Sequence, residues 1–431
     1  MREKHQTDKG AWVKDLRLYV HVPFCVKKCD YCDFLSGPSD EKGIEDYFNA
    51  LYKEIRSYKS RTDEYVVSSI FIGGGTPSCV ESKYISRTLM ELKNVFSLAA
   101  DISPEITIEV NPGTIDKEKL IEYKNAGINR ISFGLQSADD KELRFLGRIH
   151  SYSEFENNYL LARELGFDNI NIDLISSLPG QSIKSWENTL LTVAKLNPEH
   201  ISAYSLIIEE GTPFYDLYGP EGIYKDRLMS EEDDRIIYKM TKEILSSCGY
   251  NRYEISNYAK PGYICRHNMA YWEGESYLGI GLGSASYIDH TRFNNTGSLI
   301  EYLNINELIG YKHNIIMSTN NENTGLLHDF FGIRKNIEPL SINQRIEEFM
   351  FLGLRKTDGA SKSDFYRRFN ITMDDIYYDV LRKSEKEGLV IIDGDMVRLT
   401  DYGIDVSNIV LAEFLVPGTV PGTVPGTEKN K

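Results

Sequence analysis

The chain has 431 residues, 41% of them hydrophobic and 26% charged, a composition typical of a soluble globular protein with room for about two or three domains. Its formal net charge of −15 excludes general binding to nucleic-acid phosphates, which needs a basic surface. No apolar run approaches the roughly 20 residues of a membrane span, and the polar N-terminus contains no signal-peptide core. Six cysteines, three of them clustered, do not resemble a disulfide framework, so we expect a cytoplasmic protein in a reducing compartment.

Hydrophobic strand-like runs alternate with amphipathic helix-like stretches through the first half of the chain. The predicted strands are 17–23, 67–73, 105–111, 130–134, 169–175 and 200–206. The predicted helices between them are 43–59, 82–96, 117–126, 152–165 and 182–196. Because parallel strands need crossover connections, this alternation predicts an α/β fold with a parallel sheet, and six units predict a partial (β/α)6 barrel. We expect its chemistry on the loops that follow the carboxyl ends of the strands.

The first predicted strand leads directly into three cysteines, Cys25, Cys29 and Cys32, spaced C-x3-C-x2-C. A four-iron cluster normally takes four thiolates, so three would leave one iron open to a small chelating molecule. A structural zinc site is a second interpretation, but zinc usually takes a second cysteine pair, and the other cysteines are scattered. A redox pair is a third interpretation, but it uses only Cys29 and Cys32 and leaves Cys25 without a role.

Polar residues follow later strands at the same predicted edge of the sheet. The second strand ends in three glycines and Thr76, and the glycines let the backbone approach a ligand closely. Glu109 at the end of the third strand can accept hydrogen bonds from a ribose hydroxyl or an ammonium group, or it can form a salt bridge at the strand end. Asp173, inside an otherwise apolar fifth strand, needs a partner because an unpaired buried charge is costly.

The cysteine array resembles the signature of the radical S-adenosylmethionine (radical SAM) superfamily. The strings YVHVPFC, GGGTPS, EVNP, ISFGLQS, LGRIH and DLISSLPGQ, in this order, resemble its coproporphyrinogen III oxidase-like family, and most of all the heme chaperone branch. The resemblance covers roughly residues 15–410. It implies a 4Fe–4S cluster on Cys25, Cys29 and Cys32, with SAM on the open iron. By motif position, it implies that the residues contacting SAM are Tyr19, Tyr31, Gly74, Gly75, Thr76, Glu109, Gln136, Arg148 and Asp173.

One departure distinguishes the branches of that family. The anaerobic coproporphyrinogen dehydrogenases extend the array by a further cysteine, where this chain has Phe34, and they carry a longer N-terminal arm. Both differences favour the heme chaperone branch, which would bind heme and deliver it to apoproteins such as respiratory heme enzymes. The alternative function is an oxygen-independent coproporphyrinogen III dehydrogenase, in which a deoxyadenosyl radical drives oxidative decarboxylation of two propionates. A purely structural metalloprotein is a third hypothesis, and a homodimer is possible for any of them.

The middle segment contains an H-N-x-x-Y-W string from His267 to Trp272. An imidazole can bind heme iron and aromatic rings can pack on a porphyrin face, so His267, Tyr271 and Trp272 are heme candidates, with Cys265 as a further possible contact. The string resembles the motif proposed for heme in the chaperone branch. A histidine beside aromatic residues is otherwise a satisfied structural residue. The G-x-G run at 277–284 has no surrounding strand–helix unit, so we reject a dinucleotide site.

From about residue 340 the pattern changes to closely spaced helices, 342–354, 362–369 and 374–387, and then a hairpin turning at Asp393-Gly394. This order predicts a winged-helix-like domain. Residues 341–415 carry ten Lys and Arg against fourteen Asp and Glu, so we expect a structural or partner-binding domain and not a DNA-reading one. The predicted domains are a barrel at 1–215, a mixed α+β extension at 216–335, the winged-helix-like domain at 336–415 and a disordered tail of V-P-G-T repeats at 416–431.

Overall fold

The computed structural model describes residues 5–6, 12–59, 61–99, 103–305, 325–329 and 331–416. They form two compact units. The first holds the described residues up to Asn251, with Tyr258–His267 and Ser276–Glu338, and the second holds Arg252–Asn257, Asn268–Glu275 and the described residues from Pro339 onward. The domain boundaries at 215 and 335 stay predictions. The repeats of the tail beyond residue 416 lie outside the described residues.

In the described part of the chain, thirteen strands form one large sheet. They are β1 (His5–Gln6), β2 (Trp12–Val22), β3 (Tyr65–Gly74), β4 (Glu105–Val110), β5 (Arg130–Gln136), β6 (Ile170–Ser176), β7 (His200–Ser205), β8 (Asn251–Arg252), β9 (Asn257–Ala259), β10 (Tyr277–Ile280), β11 (Ala285–Ile288), β12 (Thr291–Asn295) and β13 (Arg334–Pro339). Their order is β13-β12-β11-β10-β2-β3-β4-β5-β6-β7-β9-β8, with β1 paired to β2. Strands β2 to β7 are parallel and consecutive, which confirms the predicted partial (β/α)6 barrel.

Helices follow each of these six strands. They are α1 (Glu41–Ser57), α2 (Ser82–Val95), α3 (Lys117–Ala126), α4 (Asp140–Phe145), α5 (Tyr152–Glu164), α6 (Ile183–Lys195), α7 (Pro213–Tyr218) and α8 (Glu231–Ser247). Further along the chain come α9 (Arg266–Trp272), whose residues are divided between the two units, and α10 (Leu299–Leu303). The five helices predicted between the strands are all present, with ends within a few residues of prediction. Of the described helices, none is both long and apolar enough to cross a bilayer.

The two faces of the parallel sheet differ in chemistry because successive side chains of a strand point to opposite faces. One set of alternate residues, such as Leu18, Ile70 and Ile108, is fully buried in the main apolar core with residues of the helices. The other set is largely polar. Glu109, Ser132, Asn171 and His200 lie side by side on β4, β5, β6 and β7. The sheet thus presents a row of hydrogen-bonding groups on the face away from the helices.

The G-x-G run forms β10 and the turn after it, beside the end of β2. Strand β10 pairs in parallel with β2, from Tyr277 opposite Arg17 to Ile280 opposite Val20. The Gly281 N–H donates to Glu54 Oε2 at 2.9 Å, and the Tyr47 hydroxyl donates to the His21 carbonyl at 2.6 Å. The run therefore fixes backbone close to the cysteine loop and forms no dinucleotide-binding unit.

The C-terminal part of the second unit has the predicted order of helices and hairpin. Its helices are α11 (Ile342–Gly353), α12 (Lys362–Phe369), α13 (Met373–Lys386), α14 (Asp401–Asp405) and α15 (Ser407–Ala412). Its antiparallel sheet has the order β14-β16-β15, with β14 (Ala360–Ser361), β15 (Val390–Asp393) and β16 (Met396–Leu399). A separate apolar core, including Met350, Phe365 and Tyr377, holds it together.

Thr372 caps the first turn of α13, and replacing it with alanine is expected to loosen that turn. Its hydroxyl accepts from the Asp375 N–H at 3.1 Å, and its own N–H donates to Asp375 Oδ2 at 2.9 Å. Losing such a cap costs about 1 kcal/mol, which is roughly fivefold in local opening. Hydrogen exchange of the first-turn amides of α13 should therefore be about fivefold faster in Thr372→Ala. Thr372→Ser, which keeps the hydroxyl, is the control, and equal rates in the two variants would contradict the capping role.

Candidate functional site

The cysteine loop leaves the end of β2 and is closed at its base by backbone hydrogen bonds. The Cys25 N–H donates to the Gly37 carbonyl at 3.0 Å, and the Gly37 N–H donates to the Pro23 carbonyl at 3.0 Å. Within the loop the Cys32 N–H donates to the Cys29 carbonyl at 3.2 Å. All three cysteines are free thiols and partly exposed. The loop thus presents three partly exposed cysteines at the carboxyl end of the strand, as the sequence predicts.

Two of these sulfur atoms face hydrogen-bond donors from other loops. Thr76 Oγ1 lies 3.6 Å from Cys25 Sγ, and Arg148 Nη1 lies 3.5 Å from Cys29 Sγ. The thiolate is the form of cysteine that binds metal. The pKa of Cys32 is raised, chiefly by burial and further by the neighbouring Cys29 and Cys25, while a backbone N–H of Phe34 opposes the shift. Binding of a metal cluster would therefore release a proton from Cys32.

The thiols suit a cluster better than a single ion. Over the ranges that the structure describes, no three His, Cys, Asp or Glu side chains converge closely enough to hold one metal ion. The thiolates of a four-iron cluster each bind a different iron and need not converge on one point. Free, partly exposed thiols on one closed loop, with cationic and hydroxyl donors beside them, fit that requirement.

The glycines after β3 bring backbone against the carboxylate of Glu109. Gly74 has a φ of +119°, a left-handed conformation that favours glycine, and its N–H donates to Glu109 Oε2 at 3.1 Å. A Cβ on Gly75 would lie 2.6 Å from the Phe24 carbonyl oxygen and 2.9 Å from Cys25 Sγ. Small residues are therefore required here for the cysteine loop to approach the end of β3.

Glu109 and Asp173 form a pair of carboxyl groups on the polar face. Asp173 accepts from Ser132 Oγ at 2.9 Å and from Asn171 Nδ2 at 2.8 Å, and burial raises its pKa. Burial, assisted by the charge of Asp173, raises the pKa of Glu109 to about 8, against the opposing N–H of Gly74. Without a bound cation, Glu109 is thus largely protonated at neutral pH. A ligand ammonium or ribose hydroxyl arriving here would favour its ionised form.

Glu109→Gln is expected to remove a pH dependence of stability. The pKa of Glu109 rises from 4.5 to about 8 on folding, so its contribution is fully present below pH 4.5 and is lost as the pH rises through about 8. The ligand-free variant should therefore be more stable than the wild type above pH 8, by an amount on the order of a few kcal/mol. Thermal unfolding measured from pH 5 to 9 checks this. Unfolding temperatures that change with pH in the same way in both proteins would contradict this prediction.

Asn111 joins two predicted ligand residues, although it was not itself predicted as a site residue. Its Nδ2 donates to Thr76 Oγ1 at 2.8 Å, and its Oδ1 accepts from Arg148 Nη2 at 2.7 Å. Arg148 also donates to the Gly134 carbonyl. The Asn111 amide therefore links Thr76, which donates to Cys25, with Arg148, which donates to Cys29. The available signal was the asparagine of the EVNP string, which follows β4 directly.

The remaining predicted SAM residues lie at the same end of the strands. Tyr19 stacks on Phe71, with ring centroids 6.3 Å apart, and its hydroxyl lies 3.1 Å from His21 Nδ1. Gln136 ends β5 with a φ of +74°, an uncommon conformation for a residue other than glycine that often marks a functional site. Tyr31, on the cysteine loop, lies 6.3 Å from the ring of Phe214. The structure thus gathers these residues around the carboxyl ends of the strands.

The heme candidates differ in their placement from the predicted SAM residues. His267 is only 2% exposed, its Nδ1 lies 2.9 Å from Ser69 Oγ, and its backbone N–H donates to Glu105 Oε1 at 3.0 Å. Burial, with the charges of Arg17 and Arg130, lowers its pKa to about 3. The contact of His267 with Ser69 therefore lies five residues before Gly74 on β3, which is roughly 16 Å along the strand.

The three heme candidates do not form one group within a single unit. His267 belongs to the first unit, and Tyr271 and Trp272 belong to the second. In the second unit the guanidinium of Arg355 lies 5.6 Å from the ring of Trp272. Cys265 is buried, and its thiol lies 3.4 Å from Glu105 Oε1. The role of the three candidates in heme binding stays a prediction.

The fold and the cysteine loop define a radical SAM-type protein. A model of the radical SAM superfamily matches residues 19–193, and a model of the HemN C-terminal domain matches residues 340–406. The chain is 34% identical to the heme chaperone HemW of Bacillus subtilis over 397 residues, which cover 92% of this chain and 98% of that protein. It is 31% identical to the heme chaperone HemW of Lactococcus lactis, over 92% of this chain and 97% of that protein. The chain belongs to the HemW heme chaperone family of the radical SAM superfamily.

A solved structure is similar over nearly the whole chain. The coproporphyrinogen III oxidase HemN from Escherichia coli, a radical SAM enzyme, aligns with a TM-score of 0.76 and 26% identity, covering 94% of this chain and 90% of HemN. Membership of the superfamily implies a 4Fe–4S cluster and SAM. The three free cysteines, the glycine backbone and the carboxyl pair are the groups that such cofactors need, so the residues present fit both.

Proposed function

We propose that this protein is a heme chaperone that binds heme and delivers it to apoproteins. The observation that carries the proposal is the match to HemW chaperones over 92% of the chain, at 34% and 31% identity. The cysteine loop supports it. Phe34, 62% exposed, occupies the position of the further cysteine of the coproporphyrinogen dehydrogenases, and a phenyl ring cannot bind iron.

The residues of the site have separate tasks in this proposal. Cys25, Cys29 and Cys32 would hold the cluster, while Thr76 and Arg148 donate to its thiolates. The backbone of Gly74 and Gly75, with the side chains of Tyr19, Tyr31, Glu109, Gln136 and Asp173, would contact SAM. When bound, the cluster would supply an electron donor, and SAM would supply a sulfonium that this donor can reduce. The protein orients the two cofactors, and the Glu109 carboxyl stays protonated until a cation binds beside it.

The partners follow from the same proposal. The recipients would be apoproteins of respiratory heme enzymes, reached in the cytoplasm, and the chaperone would act as a homodimer. Size measurement by light scattering, before and after cluster reconstitution, tests the dimer. A monomer under both conditions would remove that part of the proposal.

The central experiment is a hemin titration of anaerobically reconstituted protein, followed by the Soret absorbance. His267→Gln, which keeps a hydrogen-bonding group beside Ser69, replaces the imidazole with little change in volume. Ser69→Ala is the matched control, because it removes the hydrogen bond between Ser69 and His267 and leaves the imidazole in place. Saturable binding supports the chaperone, and weaker binding in His267→Gln alone identifies His267 as the ligand. If neither variant changes the affinity, His267 is structural. If the wild type does not saturate, the chaperone proposal fails.

The second candidate function is that of an oxygen-independent coproporphyrinogen III dehydrogenase. The similarity to HemN, at a TM-score of 0.76 over 94% of the chain, favours it. Incubation of the reconstituted protein with SAM, a reductant and coproporphyrinogen III tests it directly. Formation of protoporphyrinogen at a rate above that of a Cys29→Ala variant would place this activity ahead of heme delivery.

A further inference from the structure

A cleft open to solvent lies beside the cysteine loop. Its walls come from that loop, from the residues that follow β3 and β4, and from the short segment after α4. Among the lining residues are Cys29, Thr76, Asn111, Arg148, Ile149 and His150. The cleft thus brings one predicted cluster ligand together with the donors to the thiols and with a histidine that the function proposed above does not use.

His150 is buried in this wall. Its residue is 5% exposed, and within the part of the chain that the structure describes neither Nδ1 nor Nε2 has a hydrogen-bond partner. The ring nitrogens of other buried histidines are engaged, as for Nδ1 of His200, which lies 2.6 Å from Asn171 Oδ1. Buried polar groups in folded proteins are nearly always satisfied, so an imidazole in this state indicates a missing partner.

The protonation of His150 limits what that partner can be. Burial, together with the charge of Arg148, lowers the pKa of His150 to about 4, so the ring is neutral at physiological pH. The carbonyl of Leu135 opposes this shift but does not make a hydrogen bond of acceptable geometry with the ring. A neutral imidazole carries one N–H donor and one acceptor, and which nitrogen holds the proton adjusts to its surroundings.

The other polar groups of the cleft are arranged as donors toward sulfur. Asn111 Nδ2 donates to Thr76 Oγ1, Thr76 Oγ1 donates to Cys25 Sγ, and Arg148 Nη1 donates to Cys29 Sγ. A site that already aims a hydroxyl and a guanidinium at two thiols suits an anionic, acceptor-rich group. A cluster with its thiolates and inorganic sulfides is such a group.

We infer that His150 is a positioning residue for the cluster and donates its ring N–H to a sulfur atom of that group. The inference rests on the placement of the cluster on Cys25, Cys29 and Cys32 and not on heme delivery. Hydrogen bonds to cluster sulfur stabilise the more negative, reduced state and so raise the reduction potential. His150 therefore tunes the potential at which this protein accepts an electron.

The test is a redox titration of the full chain, reconstituted anaerobically and free of SAM, with the reduced cluster followed by electron paramagnetic resonance. His150→Leu is expected to move the midpoint potential to a more negative value while iron and sulfide contents stay at wild-type levels. His150→Gln, which restores an N–H donor, is expected to recover most of that shift. Ile149→Ala is the matched control, because it alters the same cleft without changing a polar group.

Two outcomes would overturn the inference. One is an unchanged potential in His150→Leu with a full cluster. The other is an unchanged potential with weakened SAM binding, which would make the cofactor and not the cluster the acceptor. If His150→Leu does not retain its cluster, pulsed resonance on wild-type protein labelled with 15N-histidine decides the question. A hyperfine coupling from histidine nitrogen to the reduced cluster, lost in His150→Gln, is expected, and its absence in the wild type refutes the assignment.

Discussion

Replacing Cys29 with alanine is expected to abolish the iron–sulfur cluster. The side chain lies on the loop closed by Cys25 and Gly37, and its thiol is the one beside the Arg148 guanidinium. With two thiolates left, the loop no longer offers the three protein ligands that a cluster with one open iron requires. After anaerobic reconstitution, iron and acid-labile sulfide per chain should fall at least tenfold, to the level of adventitious metal.

Cys248→Ala is the matched control for this loss. Cys248 is exposed at the end of α8, away from the loop in sequence, and should retain wild-type iron. Cys25→Ala and Cys32→Ala are expected to lose the cluster as Cys29→Ala does. A Cys29→Ala protein that keeps a full cluster would show that the ligands lie elsewhere. Zinc in place of iron in the wild type would favour the structural metalloprotein instead.

The substitution Gly74→Ala is expected to destabilise the chain and to prevent SAM binding. Gly74 has a φ of +119°, and an added Cβ would lie 2.6 Å from Nδ1 of His21. That ring is held by the Tyr19 hydroxyl at 3.1 Å and by the Leu35 carbonyl at 2.9 Å, so it cannot move aside without losing a hydrogen bond. The combined strain and overpacking should cost about 2–4 kcal/mol of unfolding free energy. The N–H of Gly74 would also be displaced from Glu109.

Gly113→Ala separates the strain of a positive φ from the overpacking against His21. Gly113 also has a positive φ, +80°, but an added Cβ there would meet no atom of the described residues within 4 Å. It should show only the conformational part of the cost, about 1 kcal/mol. Thermal unfolding and calorimetric titration with SAM on both variants provide the comparison. Equal effects at the two positions would mean that contact with His21 does not matter.

Sequence alone predicted the elements of this protein because their signals are local. The alternation of strand-like and helix-like runs predicted all six parallel strands of the barrel. The helices and hairpin after residue 340 were equally clear, since period, capping residues and the Asp393-Gly394 turn lie within a few positions of each other. The spacing of Cys25, Cys29 and Cys32 predicted the loop that the structure shows at the end of β2. Such features need no knowledge of distant neighbours.

What the tertiary structure decided depends on strand register and on contacts between distant segments. A histidine near aromatic residues is the same local pattern whether it is exposed or enclosed. Only the tertiary structure of the first unit places His267 against Ser69 of β3 and Glu105 of β4. The bridge that Asn111 makes to Arg148 joins residues 37 positions apart. The carboxyl pair of Glu109 and Asp173 also depends on register, because a slip of one residue would turn either side chain to the opposite face of the sheet.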